Sequence, residues 1–129
     1  MVKVFDLNEV DGLLEKWESV YKKGLLSFWI LFVLDERPTY AFEMNTLIQK
    51  LSQGTISADD NSLYRALNRF EDVGLVSSDL QPSPNGPARR YYSLTTNGRE
   101  LLSRFIDRNV MVFRSTEVEN KIEILMTKT

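Results

Sequence analysis

Ten consecutive residues, 25 to 34, read Leu-Leu-Ser-Phe-Trp-Ile-Leu-Phe-Val-Leu, and only Ser27 among them is polar. Lys22-Lys23 and Asp35-Glu36 bracket the run. Spanning a bilayer takes roughly 20 apolar residues, so the segment is expected as a buried helix and not as a membrane span. Apolar on nearly every side, it belongs at the centre of a core. A chain of 129 residues, 43% hydrophobic, is long enough to build one such core in one domain. The opening, Met1-Val2-Lys3-Val4-Phe5-Asp6, has no charged leader ahead of a long apolar stretch and a cleavage site. A soluble, cytoplasmic protein is the expectation.

Chemistry is restricted by what is missing. The sequence contains no His and no Cys, which removes the commonest general base and metal ligand, disulfides and thiolate nucleophiles. Asp35-Glu36, Asp59-Asp60 and Glu71-Asp72 are sequence neighbours, and successive residues on a helix diverge by about 100°, so they do not converge as a dyad or metal clamp. The six glycines are too scattered to cradle a phosphate. No catalytic residue, no metal and no cofactor is expected, and the chain reads as a non-enzyme.

Helical spacing of Val10, Leu13, Leu14, Trp17, Val20 and Tyr21 predicts a first helix, opened near Asn8 with Asp11 as a capping pair and closed by Lys22-Lys23-Gly24. The apolar run is the second helix. Asp35-Glu36-Arg37-Pro38 breaks it, and a third helix spans about 40 to 53, with Phe42, Met44, Leu47, Ile48 and Leu51 on its apolar side. Ser57 and Asp60 are the expected cap of a fourth, running to about residue 73. Its stripe is Leu63, Ala66, Leu67, Phe70 and Val73; Asn61, Tyr64, Arg65, Asn68, Arg69 and Asp72 lie opposite, and Gly74 stands where a left-handed C-cap is wanted. Strands are expected over 75–80 and 89–95, separated by a loop over 81–88 that holds three prolines and Asn-Gly. A long helix over 96–113 follows, and the tail, 115–129, offers one further helical segment.

Three helices, a two-stranded hairpin and another helix is the layout of a winged helix-turn-helix, mostly α with a small two-stranded β-wing, an N-terminal helix and a long C-terminal helix. The expected units are an N-terminal helical extension (1–23), the winged helix-turn-helix DNA-binding domain (24–95) and the C-terminal helix with its tail (96–129), to which the resemblance described below assigns dimerisation. In that geometry the fourth helix enters a major groove and the hairpin lies along the backbone or in the minor groove. Sixteen Lys and Arg against eighteen Asp and Glu leave a net charge of −2, so any grip on DNA must come from a local basic face. Arg65, Arg69, Arg89 and Arg90 are the candidate phosphate anchors, Asn61, Ser62 and Asn68 the base readers, and Tyr64 a backbone contact. The plainer alternative makes Arg65 a solvated surface residue and pairs Arg69 with Asp72. Asp59 and Asp60 count against DNA, since they stand at the helix N-terminus where phosphates are favoured.

Three stretches carry a family resemblance: Tyr40-Ala41-Phe42-Glu43-Met44; the run from Ser62 through Leu63-Tyr64-Arg65 to Phe70-Glu71-Asp72-Val73-Gly74-Leu75-Val76; and Gly86-Pro87-Ala88-Arg89-Arg90-Tyr91-Tyr92-Ser93-Leu94-Thr95-Thr96-Asn97-Gly98. Over residues 23–114 the chain resembles the PadR family of transcriptional regulators. The resemblance implies a homodimer on a palindromic operator of double-stranded DNA, usually as a repressor, with half-sites about 10 base pairs apart. It implies that Tyr64 touches the DNA backbone, that Arg89-Arg90-Tyr91 belong to the wing, and that the helix over 96–113 supplies the dimer seam through Leu101, Leu102, Phe105, Ile106, Asn109, Val112 and Phe113. Leu13, Leu14 and Trp17 pack either on the partner's long helix or on their own subunit. Asn109 is either a buried register-setting residue or an edge residue in water. Some relatives bind flat hydrophobic compounds between subunits, which makes Trp17 and Trp29 candidates for a small hydrophobic effector; aromatics at helical spacing are more often core. The rival from another class is a winged helix used only as a protein–protein interaction module.

Overall fold

The computed structural model describes Val4 and residues 6–129; the reading of the first six residues as leaderless lies, for positions 1–3 and 5, outside them. Among the described residues the fold has five α-helices and one two-stranded antiparallel sheet. The winged helix-turn-helix layout is present, with differences at several element boundaries.

Helix α1 runs unbroken over Leu7–Glu36, where two helices were expected. Its N-cap is Asp6 and not Asn8: the carboxylate accepts from the Glu9 amide at 2.7 Å. Gly24 does not close the helix, and the expected boundary between residues 23 and 24 falls inside it. An exposed mid-helix glycine costs about 1 kcal/mol, less than the cost of nucleating a second helix immediately afterwards. The real stop is Pro38. It forces Arg37 into an extended conformation, φ −166° and ψ 162°.

After that corner Thr39 is fully buried and pairs with Tyr92, with N–H···O bonds of 3.0 and 2.9 Å. This single bridge ties the start of α2 (Ala41–Leu51) to the wing. Met44 and Ile48 are buried on α2, whereas Phe42, expected in the core, is 76% exposed. Helix α3 (Asp60–Asp72) buries Leu63, Ala66, Leu67 and Phe70. It ends on Gly74 at φ +84°, with the Leu75 amide donating to the Phe70 carbonyl at 2.8 Å and the Gly74 amide to Glu71 at 3.1 Å. That is the Schellman arrangement, which only glycine adopts without strain.

The hairpin is longer and its loop shorter than expected. Strands β1 (Val76–Ser83) and β2 (Gly86–Leu94) pair from Val76↔Leu94 out to Ser83↔Gly86, with an irregularity around Pro82. Pro84 and Asn85 make the turn with Gly86 next, the residue order that a type I turn favours. Each strand of a two-stranded ribbon has a free edge, so Pro82 and Pro87 are tolerated within it. Tyr92 and Leu94 face the core, as the alternation predicts.

Helix α4 (Thr96–Asn109) is four residues shorter than expected, since the expected stretch to Phe113 ends in a 3-10 turn over Met111–Arg114. Helix α5 (Thr116–Lys128) then restarts under a Ser115 cap, whose hydroxyl accepts from the Val118 amide at 3.3 Å. The core joins Ile30, Leu31, Val33 and Leu34 of α1 to Met44, Ile48, Leu63, Leu67, Val76, Tyr92 and Leu102. Of the ten-residue run only Ile30, Leu31, Val33 and Leu34 sit at its centre; residues 25–29 are half-buried and Phe32 is exposed.

Candidate nucleic-acid interface

The apolar stripe of α3 fixes which of its residues face outward. With Leu63, Ala66, Leu67 and Phe70 in the core, a 3.6-residue period leaves Asn61, Arg65 and Asn68 pointing away, flanked by Tyr64 on one side and Arg69 on the other. All five are exposed, Tyr64 at 46%.

The helix start differs from the sequence-based expectation. Its cap is Asp59, not Ser57. The Asp59 carboxylate accepts from the Ser62 amide at 2.8 Å and from the Ser62 hydroxyl at 3.0 Å. Those two bonds hold the carboxyl below the ordinary aspartate range, and Arg65 adds a smaller pull in the same direction. Ser62, expected to read a base, is half-buried and donates its hydroxyl proton to the cap. Asp59 is therefore a structural acid: its charge serves the amides of its own helix.

No Arg69–Asp72 ion pair forms among the described residues; the Arg69 guanidinium lies 5.7 Å from the Phe70 ring centre. Arg65 leans back along its own helix, Nε donating to the Asn61 carbonyl at 3.4 Å. Neither arginine is neutralised by a carboxylate contact.

The wing arginines differ from one another. Arg89 lies over the Tyr40 ring at 4.5 Å, and Tyr40 meets Tyr91 edge-on at 5.4 Å. This stack presents the Arg89 charge at the base of the wing while packing its stem. Arg90, although exposed, is tied back onto the protein. Its Nη1 donates to the Ser78 hydroxyl at 3.1 Å, and that hydroxyl donates to Glu71 of α3 at 2.7 Å. Arg90 thus helps fasten the hairpin to α3, and Tyr91 is half-buried against Tyr40.

One contribution is absent from the sequence-based expectation. Lys23 and Ser27 of α1 line a cleft of about 180 Å³ together with Ser62, Arg65, Ala66 and Arg69 of α3. Because α1 continues through Gly24, Lys23 stands beside the outward side of α3 instead of ending a separate helix. The Lys22-Lys23 pair was the available signal.

The expected dimer residues divide into two groups. Leu13, Leu14, Trp17, Leu101, Val112 and Phe113 are all exposed, Trp17 at 75%. Leu102 is only 6% exposed and belongs to its own core, and Ile106 is half-buried against that core. Phe105 is half-buried and stacks on Phe28 at 5.8 Å between ring centres. Asn109 is at the exposed edge, donating to the Phe105 carbonyl at 3.1 Å. Trp17 and Trp29 do not share a pocket. Trp29 joins Phe28 and Phe32 in an aromatic cluster, and twelve helical residues separate the two by about 18 Å.

No described helix is long and apolar enough to cross a membrane. Among the described residues no group of three or more acidic side chains could hold a metal ion.

Known proteins share this fold. A PadR-like transcriptional regulator from Bacillus cereus is 30% identical, covers 78% of this chain and 93% of its own, and superposes with a TM-score of 0.61. A PadR family transcriptional regulator from Eggerthella lenta, 23% identical, covers 94% and 98% with a TM-score of 0.65. Bacillus subtilis PadR, solved in complex with operator DNA, is 18% identical and matches 64% of this chain and 46% of its own at a TM-score of 0.59. The family model described as the transcriptional regulator PadR-like family matches residues 30–104, the region holding the core of α1, the helix-turn-helix, the wing and the first half of α4. The chain belongs to the PadR-like family of transcriptional regulators.

Proposed function

We propose that this protein is a sequence-specific binder of double-stranded DNA, acting as a homodimer on a palindromic operator and repressing the adjacent gene. The observation that carries the reading is the outward side of α3. Asn61, Arg65, Asn68 and Arg69 form an uncovered polar surface holding two arginines with no carboxylate contact, in a family of transcriptional regulators.

Roles follow from chemistry. Asn61 and Asn68 offer the amide fork that pairs with adenine, and an arginine at this position suits either guanine or phosphate. Tyr64 donates to a phosphate, and Arg89 anchors the backbone beside the wing. Arg90 contributes less than its neighbour, because its guanidinium is already bonded to Ser78. The operator-bound Bacillus subtilis PadR supports the reading of this fold as one that meets operator DNA. A small hydrophobic effector is not assigned to a protomer, since its two tryptophans stand apart.

The test is binding to DNA from just upstream of the protein's own coding region, across a salt series. Each phosphate neutralised contributes about −0.9 to the log–log slope. Arg65→Ala together with Arg69→Ala should abolish preference for that fragment and flatten the slope by about 1.8 per engaged protomer, while Arg90→Ala should change it less than Arg89→Ala does. Binding that ignores salt, or survives the α3 double variant, would point instead to the protein–protein module.

A further inference from the structure

Three cations from two helices converge on one small cleft. Lys23 and Ser27 are four apart on α1 and share a face; Ser62, Arg65 and Arg69 stand on the adjoining side of α3. No carboxylate lines the cleft among the described residues, and Lys23 makes no ion pair among them. Its neighbour Lys22 is different, being paired with Glu18 at 3.2 Å. Asp59 lines the adjoining cleft and attracts Arg65, but both its oxygens already accept from Ser62.

Like charges brought together without an acid repel, and the arrangement persists only where each remains solvated or an anion bridges them. The cleft volume of about 180 Å³ admits a tetrahedral oxyanion. Arginine guanidiniums can offer forked donors to such a group and a lysine ammonium a point charge, and the two walls of the cleft carry both residue types. We infer that the cleft between α1 and α3 is a phosphate-binding site which, in the DNA complex, holds one backbone phosphate, with Lys23 as its third cation.

This rests on the DNA-binding reading for the identity of the phosphate, and it extends the contact surface to a helix outside the helix-turn-helix. Its consequence is positional. A phosphate held between α1 and α3 fixes how deeply α3 enters the groove without reading sequence.

Lys23→Gln removes the charge and keeps a similar helix propensity, and thermal unfolding of the variant checks that the fold is intact. Against both the upstream fragment and an unrelated duplex alike, it should weaken binding about tenfold per engaged protomer, the loss of one charge-assisted contact in each. The salt slope should fall by about 0.9 per engaged protomer, and Lys23→Arg should retain both. A second arm titrates the free protein with inorganic phosphate, with chloride at matched ionic strength as the control. Amide shifts at Ser27, Ser62 and Arg69 are expected in wild type and not in Lys23→Gln. If Lys23→Gln leaves the slope unchanged while phosphate still shifts those amides, the cleft serves a free phosphate compound and the backbone role is overturned. If wild type binds neither duplex, the functional reading fails by itself, and the phosphate arm decides the site: shifts at the three residues uphold it, and no shifts eliminate it.

Discussion

Gly98 sits where the start of α4 crosses the exit of α3. A Cβ built on it would lie 2.1 Å from the Leu75 carbonyl oxygen and 2.6 Å from Leu94 Cδ1. The obstructing atom is backbone, and that backbone is fixed from several directions: Leu75 donates to Phe70 and accepts from the Thr95 amide at 3.1 Å, while the Thr95 hydroxyl donates to Gly74 and accepts from Gly98 itself. Gly98→Ala is therefore expected to cost about 3 kcal/mol, on the order of 10 °C in Tm; a melt within two or three degrees of wild type would show that this junction yields. Asp59 supports a prediction of a different kind. Its carboxyl is held below the ordinary aspartate value of about 3.9 by Ser62. A group depressed on folding stabilises above its unfolded pKa and loses that effect as pH falls through the folded one. Asp59→Ala should thus lower Tm at pH 7, and the gap from wild type should narrow below about pH 4. A gap that stays constant down to pH 2 would exclude the carboxylate as its source.

At the scale of elements, Gly24 separates two pictures of the N-terminal third. Were it a left-handed cap, alanine there would strain the chain. It instead lies within α1, outside the positive-φ region and with open space around it. Gly24→Ala should raise stability by about 0.5–1 kcal/mol, with a matching gain in helical circular dichroism; a loss would mean two helices meeting at a cap. The same residue shows how much the amino-acid order makes legible. The apolar run, the α3 stripe, Gly74 and the in–out alternation of β2 each depend on local periodicity or one backbone preference, and each is readable from the order of residues. Whether a glycine ends a helix depends on the residues after it, and here Leu25 and Leu26 propagate the helix where a proline would stop it. Placing a helix end at Gly24 hides Lys23 from the candidate site. Arg90 shows the other limit. Its bond to Ser78 spans twelve residues of hairpin, and Glu71 joins through α3, so of two exposed arginines adjacent in sequence one lies over an aromatic ring and the other ties the hairpin to α3.

At the scale of the whole molecule, the first part of α1 is a helix without enough core. Leu7, Val10, Leu14, Trp17 and Tyr21 follow alternating spacings of three and four and are all exposed, the a/d pattern of a helix made to pack against another helix. Polar stretches of that length survive alone in water, but a contiguous apolar seam rarely does. The reading of the protein as a homodimer places this seam against the partner. Trp17 is the residue on which to test it, because at 75% exposure it contributes little to its own subunit, whereas a charge at Phe105 would also break the stack on Phe28. Trp17→Glu should sediment as a monomer at micromolar concentrations where wild type sediments as a dimer, since the carboxylate would have to be desolvated in the seam. Its helical signal should remain within a few per cent of wild type. In a Trp29→Phe background, which leaves Trp17 as the sole indole, emission should shift to shorter wavelength as protein concentration rises through the dimer equilibrium. A Trp17→Glu variant that still sediments as a dimer, with indole emission independent of concentration in the reporter protein, would move the interface off α1 and leave the exposed residues of α4 and α5 to supply it.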